Sequence, residues 1–237
     1  CLVGSEMCIR DRSPIDRVLL SYSINTIDWT NVTMTLAEEL YNAVILHKPY
    51  QTTVSYKVYA NNTDGKTDVS DTHSYVVVDS HPPTISGVER SLATPNYNDT
   101  VTVVANVTEP AGASGVKPPV LLGLTAGLVQ TNITMSFEGG KYKGIIDEFS
   151  FGTLVKYKIL ASDEADNWDV SDEASYTVGD KTAPTIETPS WTPRTPLAQE
   201  KVNVTVEISD HQMGNGVRSA TLWYRNDTVM DWQPLLM

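Results

Sequence analysis

The residues of this chain that are best suited to chemistry are carboxylates. Asp163, Glu164 and Asp166 fall close together, and Asn167 follows directly. Carboxylate and amide oxygens are the ligands that Ca²⁺ takes, usually about six to eight of them. This segment is therefore a candidate calcium site, provided that the fold brings further oxygen atoms to it.

Side chains for catalysis stand in no recognisable pattern. The histidines share no motif with a serine or a carboxylate, and they occupy His47, His73, His81 and His211. The sequence has no nucleophile elbow, zinc-protease motif, phosphate loop or dinucleotide fingerprint. We expect no enzymatic activity, no catalytic residue and no organic cofactor, with the histidines scattered over the surface.

A second chemical signal is an excess of Asn-x-Ser/Thr sequences, the acceptors of N-linked glycans. They begin at Asn31, Asn61, Asn98, Asn106, Asn132, Asn203 and Asn226. Exposed strand faces favour threonine, which raises the chance count. We nevertheless expect glycosylation if the source organism modifies asparagine, and strand alternation predicts that four of these side chains point outward: Asn31, Asn106, Asn132 and Asn203.

The elements that position these residues repeat along the chain. Val54-Ser-Tyr-Lys-Val-Tyr-Ala returns as Val155-Lys-Tyr-Lys-Ile-Leu-Ala, and Ser74-Tyr75 returns as Ser175-Tyr176, always 101 residues later. Only Val18-Leu-Leu against Val120-Leu-Leu needs a slip of one residue. A seven-stranded β-sandwich takes about 100 residues, whereas solenoid repeats are shorter. The period predicts tandem sandwiches.

This period divides the chain into segments. We predict a partial repeat over 13–79 that lacks strands A and B, a complete repeat over 80–180, and a partial repeat over 181–237 that lacks its C-terminal strands. The chain is expected to be a slice of a longer protein. Residues 1–12 have no counterpart and resemble a translated sequencing adapter, so we predict that they are not native. Both cysteines, Cys1 and Cys8, lie there, which removes disulfides and thiolate metal sites from consideration.

Alternating apolar residues predict the strands. The complete repeat has inward-facing sets at Val101, Val103, Ala105 and Val107, at Ile133, Met135 and Phe137, and at Val155, Tyr157, Ile159 and Ala161. Glu138-Gly-Gly-Lys141 predicts a hairpin. Leu36–Ala43 looks helical in isolation, but the repeat register predicts strand. The recurring Tyr56, Tyr75, Tyr157 and Tyr176 are predicted core tyrosines.

Gly152-Thr-x-Val-x-Tyr-Lys-Ile-x-Ala161, with Ser175-Tyr-x-Val-x-Asp180 after an acidic turn, resembles fibronectin type III and related Ig-like repeats of prokaryotic cell-surface proteins, archaeal ones included. The tryptophan usual in strand B of fibronectin type III domains is absent, and Ala105 stands in that strand. The resemblance implies an all-β fold of tandem Greek-key sandwiches and an extracellular or cell-surface location.

In such sandwiches the F–G loop, which here contains Asp163–Asn167, shares a pole with the B–C loop, which contains Glu109, and with the incoming linker at Asp79. This resemblance brings Asp79 and Glu109 to Asp163 and Asp166, and these four residues form the candidate calcium site at a domain junction. The alternative is a solvated acidic loop, since the first repeat carries Asn62 and Gly65 at the equivalent positions.

The net charge of −12 argues against nucleic acid and anionic membranes as partners, and no apolar run is long enough to span a membrane. We expect contacts with neighbouring repeats of the same chain and with other surface proteins or glycans. The favoured function is a non-catalytic spacer or adhesion stalk. Two alternatives stay open: a carbohydrate- or protein-binding module, and accessory domains of a secreted enzyme.

Overall fold

The computed structural model describes residues 13–226 and 231–237. The prediction about residues 1–12, with Cys1 and Cys8, lies outside these ranges. The described residues form strands and turns, with no helix. In particular, they contain no helix long and apolar enough to cross a membrane.

Twenty-two strands follow one another along the described part of the chain. The first predicted repeat contains β1 (Ile15–Ser23), β2 (Thr30–Thr33), β3 (Thr35–Ala37), β4 (Leu40–Asn42), β5 (Thr53–Asn62), β6 (Thr67–Val69) and β7 (His73–Val76). The second contains β8 (Thr84–Arg90), β9 (Val101–Thr108), β10 (Val116–Ala126), β11 (Val129–Thr134), β12 (Ser136–Glu138), β13 (Lys141–Ile146), β14 (Leu154–Asp163), β15 (Trp168–Val170) and β16 (Ala174–Thr177). The third contains β17 (Thr185–Ile186), β18 (Ser190–Thr192), β19 (Asn203–Thr205), β20 (Ile208–Ser209), β21 (Thr221–Tyr224) and β22 (Gln233–Leu236).

The strands repeat with the period of the sequence. β5, β6 and β7 return 101 residues later, with the same lengths, as β14, β15 and β16. The pairing register is also the same, because Val54 lies opposite Tyr75 and Val155 lies opposite Tyr176. The sequence period is therefore a period of backbone structure.

The one-residue slip is visible in the ladders. Leu20 lies opposite Val32, and Leu122 lies opposite Ile133. The first members of these pairs are 102 residues apart and the second members are 101 apart. The side-chain period of a strand is two, so a slip of one residue without this compensation would turn the strand inside out.

Two sheets build the second repeat, and they confirm the predicted fold class. One sheet has the order β11-β10-β14-β15 with β16 on β14, and the other has the order β12-β13-β9-β8. This is the Greek-key arrangement of Ig-like and fibronectin type III sandwiches. The sheets face each other closely, because a Cβ placed on Gly144 of β13 would lie 2.9 Å from Leu122 Cδ2 of β10.

The alternation predicted for the central strands is confirmed. In β9 and β14 the inward side chains are buried and form the core between the two sheets: Val101, Val103, Ala105, Val107, Val155, Tyr157, Ile159 and Ala161. Burial of such side chains from both sheets supplies the hydrophobic stabilisation of the sandwich.

One inward prediction is wrong. Phe137 is 63% exposed, whereas Met135 is buried. The predicted single strand is two strands: β11 pairs with β10 in one sheet, and β12 pairs with β13 in the other. The change of sheet after Met135 breaks the alternation, and Phe137 packs on the outer side against Tyr142, with ring centroids 5.0 Å apart.

The first repeat confirms the strand prediction for Leu36–Ala43, where β3 and β4 form a hairpin. The core prediction fails for Tyr75, which is 43% exposed, although Tyr176 is buried. The guanidinium of Arg90, from β8, covers the Tyr176 ring at 5.7 Å.

By their contacts the residues group into two compact units. The first unit is the chain up to Pro83 with Thr108–Lys117 and Ser162–Trp168. The second is Thr84–Val107, Pro118–Ala161 and Asp169–Met237. The first unit therefore adds the B–C loop and the F–G loop of the second predicted repeat to the first repeat.

Candidate functional site

Asp163 forms the centre of the F–G loop in the first unit. Its Oδ1 accepts hydrogen bonds from the backbone N–H groups of Ala165 (3.0 Å) and Asn167 (2.8 Å), and its Oδ2 accepts one from Asn167 Nδ2 (2.7 Å). Burial alone would raise the pKa of this carboxyl, but the bonds from Asn167 outweigh burial and leave its pKa below the ordinary value. Asp163 is therefore a satisfied, ionised side chain that closes a turn.

The first repeat closes the same turn with an amide. Asn62 Oδ1 accepts from the N–H groups of Asp64 (3.1 Å) and Lys66 (2.9 Å), each 101 residues before its counterpart. The turn needs one acceptor oxygen and no charge. The negative charge and the second oxygen of Asp163 are additions specific to the second repeat.

Asp79 in the linker ties the incoming chain to the B–C loop. Its Oδ2 accepts from the Ser114 N–H (2.8 Å) and its Oδ1 from the His81 N–H (3.1 Å). These two backbone bonds, the one from Ser114 first, lower the pKa of Asp79. The F–G loop joins the same place, because Asn167 Nδ2 also donates to the Asp79 carbonyl oxygen (3.2 Å).

The second unit contains the same linker contacts. Asp180 Oδ2 accepts from the Asn215 N–H (2.8 Å) and Asp180 Oδ1 from the Thr182 N–H (2.9 Å). These donors stand 101 residues after Ser114 and His81. The linker aspartate is therefore a repeated structural element.

A backbone bond between loops also occurs twice. The Tyr50 N–H donates to the Gly112 carbonyl (2.7 Å) in the first unit, and the Phe151 N–H donates to the Met213 carbonyl (2.8 Å) in the second. We call the linker aspartate, this loop bond and the B–C loop together the joint. The backbone donors and acceptors of the joint in the second unit lie 101 residues after those in the first unit.

Glu109 is the member of the candidate site without a partner. Both of its carboxylate oxygens are shielded from solvent and accept no hydrogen bond, and the Ser114 hydroxyl oxygen is in the same state. Burial, followed by the charges of Asp79 and Asp163, raises the pKa of Glu109. The Ser114 hydroxyl lies close enough to lower the pKa of both aspartates, but it meets neither with hydrogen-bond geometry.

The equivalent position in the third repeat is satisfied. Asp210, one methylene shorter than glutamate, uses Oδ1 for the His211 N–H (2.8 Å) and Oδ2 for the Gly216 N–H (2.8 Å). A Cβ on Gly214 would lie 2.8 Å from Asp180 Oδ2 and 3.2 Å from Asp210 Oδ2, so the two carboxylates flank this glycine.

Asp166, the fourth predicted ligand, lies on the outside of the loop. Its side chain is 71% exposed and pairs with Lys117, whose pKa this bond raises. Its backbone has a positive φ of 65°, as Gly65 has in the first repeat (71°). Within the described residues, no group of three or more His, Cys, Asp or Glu side chains is spaced to hold a metal ion.

The predicted glycan acceptors differ in access. Five are exposed: Asn31, Asn98, Asn132, Asn203 and Asn226, the last with a sequon that runs into residues outside the described ranges. Asn61 and Asn106 are half-buried. Asn61 Nδ2 donates to Asp16 Oδ2 (2.9 Å), and Asn106 Nδ2 lies 2.8 Å from where a Cβ on Gly87 would stand.

The sequence pattern does not predict two features of the site. One is the set of hydrogen bonds in the joint, and the other is a Glu109 carboxylate that accepts no hydrogen bond. The recurrence of Asp79 as Asp180, with polar residues 35 positions later, was the available signal for the bonds.

No protein-family model matches the sequence, and no curated protein matches it. Among solved structures, the chain is similar to the crystal structure of the FN1–FN3 domains of chicken CNTN1, with 17% identity and a TM-score of 0.34. The match covers 68% of this chain and 56% of the chicken chain, so it spans little more than half of that structure. The sheet orders and strand registers described above establish the fold class.

Proposed function

We propose that this chain is a non-catalytic spacer, a stalk segment of a larger extracellular or cell-surface protein. The observation that carries the proposal is the joint, whose hydrogen bonds recur atom for atom 101 residues apart. A linker that served only as a tether would not need the same bonds twice. A spacer that must hold its length needs every joint fixed in the same way.

The proposed mechanism is mechanical. Asp79 accepts one hydrogen bond from the His81 N–H, just before the Pro82-Pro83 pair, and a second from the Ser114 N–H, in the B–C loop that follows. Proline restricts the φ angle of the linker, and the aspartate removes further freedom from the chain that enters the next sandwich. The linker is then held at a fixed position against the B–C loop. The net charge of −12 keeps neighbouring stalks apart.

An outer location is supported by the exposed sequons at Asn31, Asn98, Asn132 and Asn203. An asparagine can carry a glycan only where its side chain reaches solvent. Glycans on these outer positions would leave the core and the joint untouched.

Pulsed electron spin resonance, which measures the distance between two spin labels, tests the proposal at the joint of the first unit. Cys1 and Cys8 are replaced by serine, and nitroxide labels are attached at D68C and A111C, both at exposed positions of the first unit. We expect a narrow distance distribution. We expect D79A to broaden it, because this variant frees the N–H groups of Ser114 and His81.

The matched control is D71A, which removes an exposed aspartate of the same repeat. This control should leave the distribution narrow. A distribution in the unaltered chain that is as broad as that of D79A would contradict the spacer function.

A further inference from the structure

The outer face of the sheet in the first repeat carries a groove of about 540 Å³. Its floor is Ser21 of β1, a small buried side chain that lies opposite Asn31 of β2 on one side and Lys57 of β5 on the other. Residues directly opposite each other in neighbouring strands point to the same face of a sheet. Asn31 and Lys57 therefore stand at the two sides of the groove.

Two aromatic rings line this groove. Trp29 precedes Asn31 by two residues, so strand alternation puts both side chains on the same face. The Lys57 Nζ atom lies 4.4 Å from the centre of the Trp29 ring and 5.2 Å from that of Tyr59. Within the part of the chain that the structure describes, Lys57 forms no ion pair. The groove thus combines aromatic surface with a cation whose hydrogen-bond donors are available.

A glycan acceptor lies in the same groove. Asn31 and Thr33 belong to one Asn-x-Thr sequence, and Asn31 is exposed. Asn61, the other acceptor that lines the groove, is half-buried, and its Nδ2 donates to Asp16 Oδ2 (2.9 Å). Asn31 is therefore the acceptor of this groove that is open to solvent.

The chemistry of the groove suits the first sugar of a glycan on Asn31. A pyranose ring has a face of C–H groups, which packs against the negative face of an aromatic ring, and hydroxyl oxygens around its rim. A lysine ammonium has three hydrogen-bond donors for such oxygens. Trp29 lies about 7 Å from Asn31 along an extended chain, a distance that the asparagine side chain and one attached sugar ring span together.

We propose that Trp29 binds the first pyranose ring of the glycan on Asn31, with the sugar packed on the indole and Lys57 donating to its oxygens. This inference rests on the extracellular location in the proposed function and adds a defined glycan conformation to it. Lys57 covers the Trp29 ring in the unmodified chain, and its flexible four-carbon side chain can turn aside for the sugar. The groove then holds a ligand that is covalently attached beside it.

The second repeat has the equivalent groove without the tryptophan. Gly123 lies opposite Asn132, and a Cβ on this glycine would stand 3.4 Å from Asn132 Oδ1 and 3.6 Å from Lys158 Cγ. The acceptor and the lysine therefore flank the floor as they do in the first repeat. Gln130 occupies the position equivalent to Trp29. We expect a glycan on Asn132 to find no ring on which to pack.

Enzymatic release of glycans from the native full chain tests the proposal. The chain is secreted from a eukaryotic host, which attaches N-acetylglucosamine to asparagine, and is then treated with a peptide N-glycosidase, which leaves aspartate at each cleaved site. Mass spectrometry follows this conversion site by site. We expect release at Asn31 to be about fivefold slower than at Asn132, because the enzyme reaches the sugar only in the fraction of molecules where it has left Trp29.

Variants of the two grooves identify the cause of a slow release. W29A should bring the rate at Asn31 to that at Asn132, whereas W29F, which keeps an aromatic ring, should retain most of the difference. The reciprocal variant Q130W should slow release at Asn132, and it tests the same contact in a chain that keeps Trp29. The matched control W191A removes an exposed tryptophan of the third repeat and should change neither rate.

A free sugar shows whether the groove instead takes a ligand from another molecule. The probe is the disaccharide of N-acetylglucosamine, added to the variant T33A, in which Asn31 carries no glycan. We expect no saturable binding below about 10 mM in an NMR titration, because a single packed sugar depends on its tether for a high local concentration. Saturable binding below that concentration that W29A abolishes would overturn the tethered sugar as the occupant.

Two results of the release experiment would also overturn the proposal. One is equal release at Asn31 and Asn132 in the unaltered chain, and the other is a slow release at Asn31 that W29A leaves unchanged. The spin-label distances separate this failure from failure of the spacer function, because a narrow distribution with equal release rates rejects only the packed sugar. A chain without a glycan at Asn31 rejects the packed sugar, and one that also lacks glycans at Asn98, Asn132 and Asn203 contradicts the outer location as well.

Discussion

At the scale of single residues, the same backbone need is met by different side chains. Asn62 and Asp163 close the same turn with one oxygen, and Gly65 and Asp166 take the same left-handed conformation. Asp163 and Asp166 of the second repeat therefore have structural roles that do not depend on a metal.

Tyr176 gives a prediction for alkaline pH. Burial first, and then Tyr157, raises the pKa of its hydroxyl to about 12, although Arg90 acts in the opposite direction. A group whose pKa is raised on folding contributes stability that is complete below its unfolded pKa of 10.0 and is lost as pH rises through the folded value. The unfolding free energy should fall by about 2 kcal/mol between roughly pH 10 and pH 12 on this account.

Urea unfolding as a function of pH measures this loss. The variant Y176F should flatten the slope above about pH 10, because it has no proton to lose. The control is Y75F, at the equivalent but exposed position of the first repeat. If Y176F and the unaltered chain show the same slope, another group causes the alkaline loss.

At the scale of elements, the strands followed from the sequence wherever alternation and repeat register agreed. β9, β13 and β14 were predicted for that reason, and the Glu138–Lys141 hairpin followed from Gly139-Gly140, which both have positive φ. The change of sheet at Met135 was not predicted, because an apolar residue every second position looks the same whether a strand stays in its sheet or leaves it.

The candidate site was predictable only in outline. The resemblance predicts that Asp79, Glu109 and Asp163 lie together, and the charges of Asp79 and Asp163 contribute, after burial, to the raised pKa of Glu109. Which of them has spare oxygens depends on backbone N–H groups within a loop. Sequence spacing does not encode those directions, so the division of roles between Asp79 and Glu109 needed the structure.

The hairpin between β3 and β4 gives a prediction at this scale. Glu38 and Glu39 occupy its two central positions with φ of 48° and 71°, where glycine stands in the second repeat. A left-handed conformation costs a residue with a Cβ about 1–2 kcal/mol. The double variant E38N/E39G supplies the residues that such turns favour and should stabilise the hairpin by about 1 kcal/mol.

Hydrogen exchange of the amides in residues 35–42 measures this effect, with slower exchange expected in the variant. The reverse pair, G139E/G140E, should destabilise the second repeat by a similar amount. Unchanged protection in E38N/E39G together with a tolerated G139E/G140E would show that the turn conformation is not costly.

At the scale of the whole molecule, the surface is divided into modifiable and protected asparagines. In a host that glycosylates asparagine, glycopeptide mass spectrometry of the secreted chain should find glycans at Asn31, Asn98, Asn132 and Asn203. Asn106 should remain bare, because its amide nitrogen lies against Gly87. T134A, which destroys the sequon of Asn132, should remove the glycan at that position alone. Full occupancy of Asn106 would contradict this division.

The joint also has a direction. The second repeat offers its B–C loop to the chain before it, through Gly112 and Ser114, and its Phe151 N–H to the chain after it. Because the two ends of a repeat use different atoms, a whole repeat duplicated or deleted by recombination would restore the same bonds at the new boundary. Each surviving contact would therefore keep its partner after such a change.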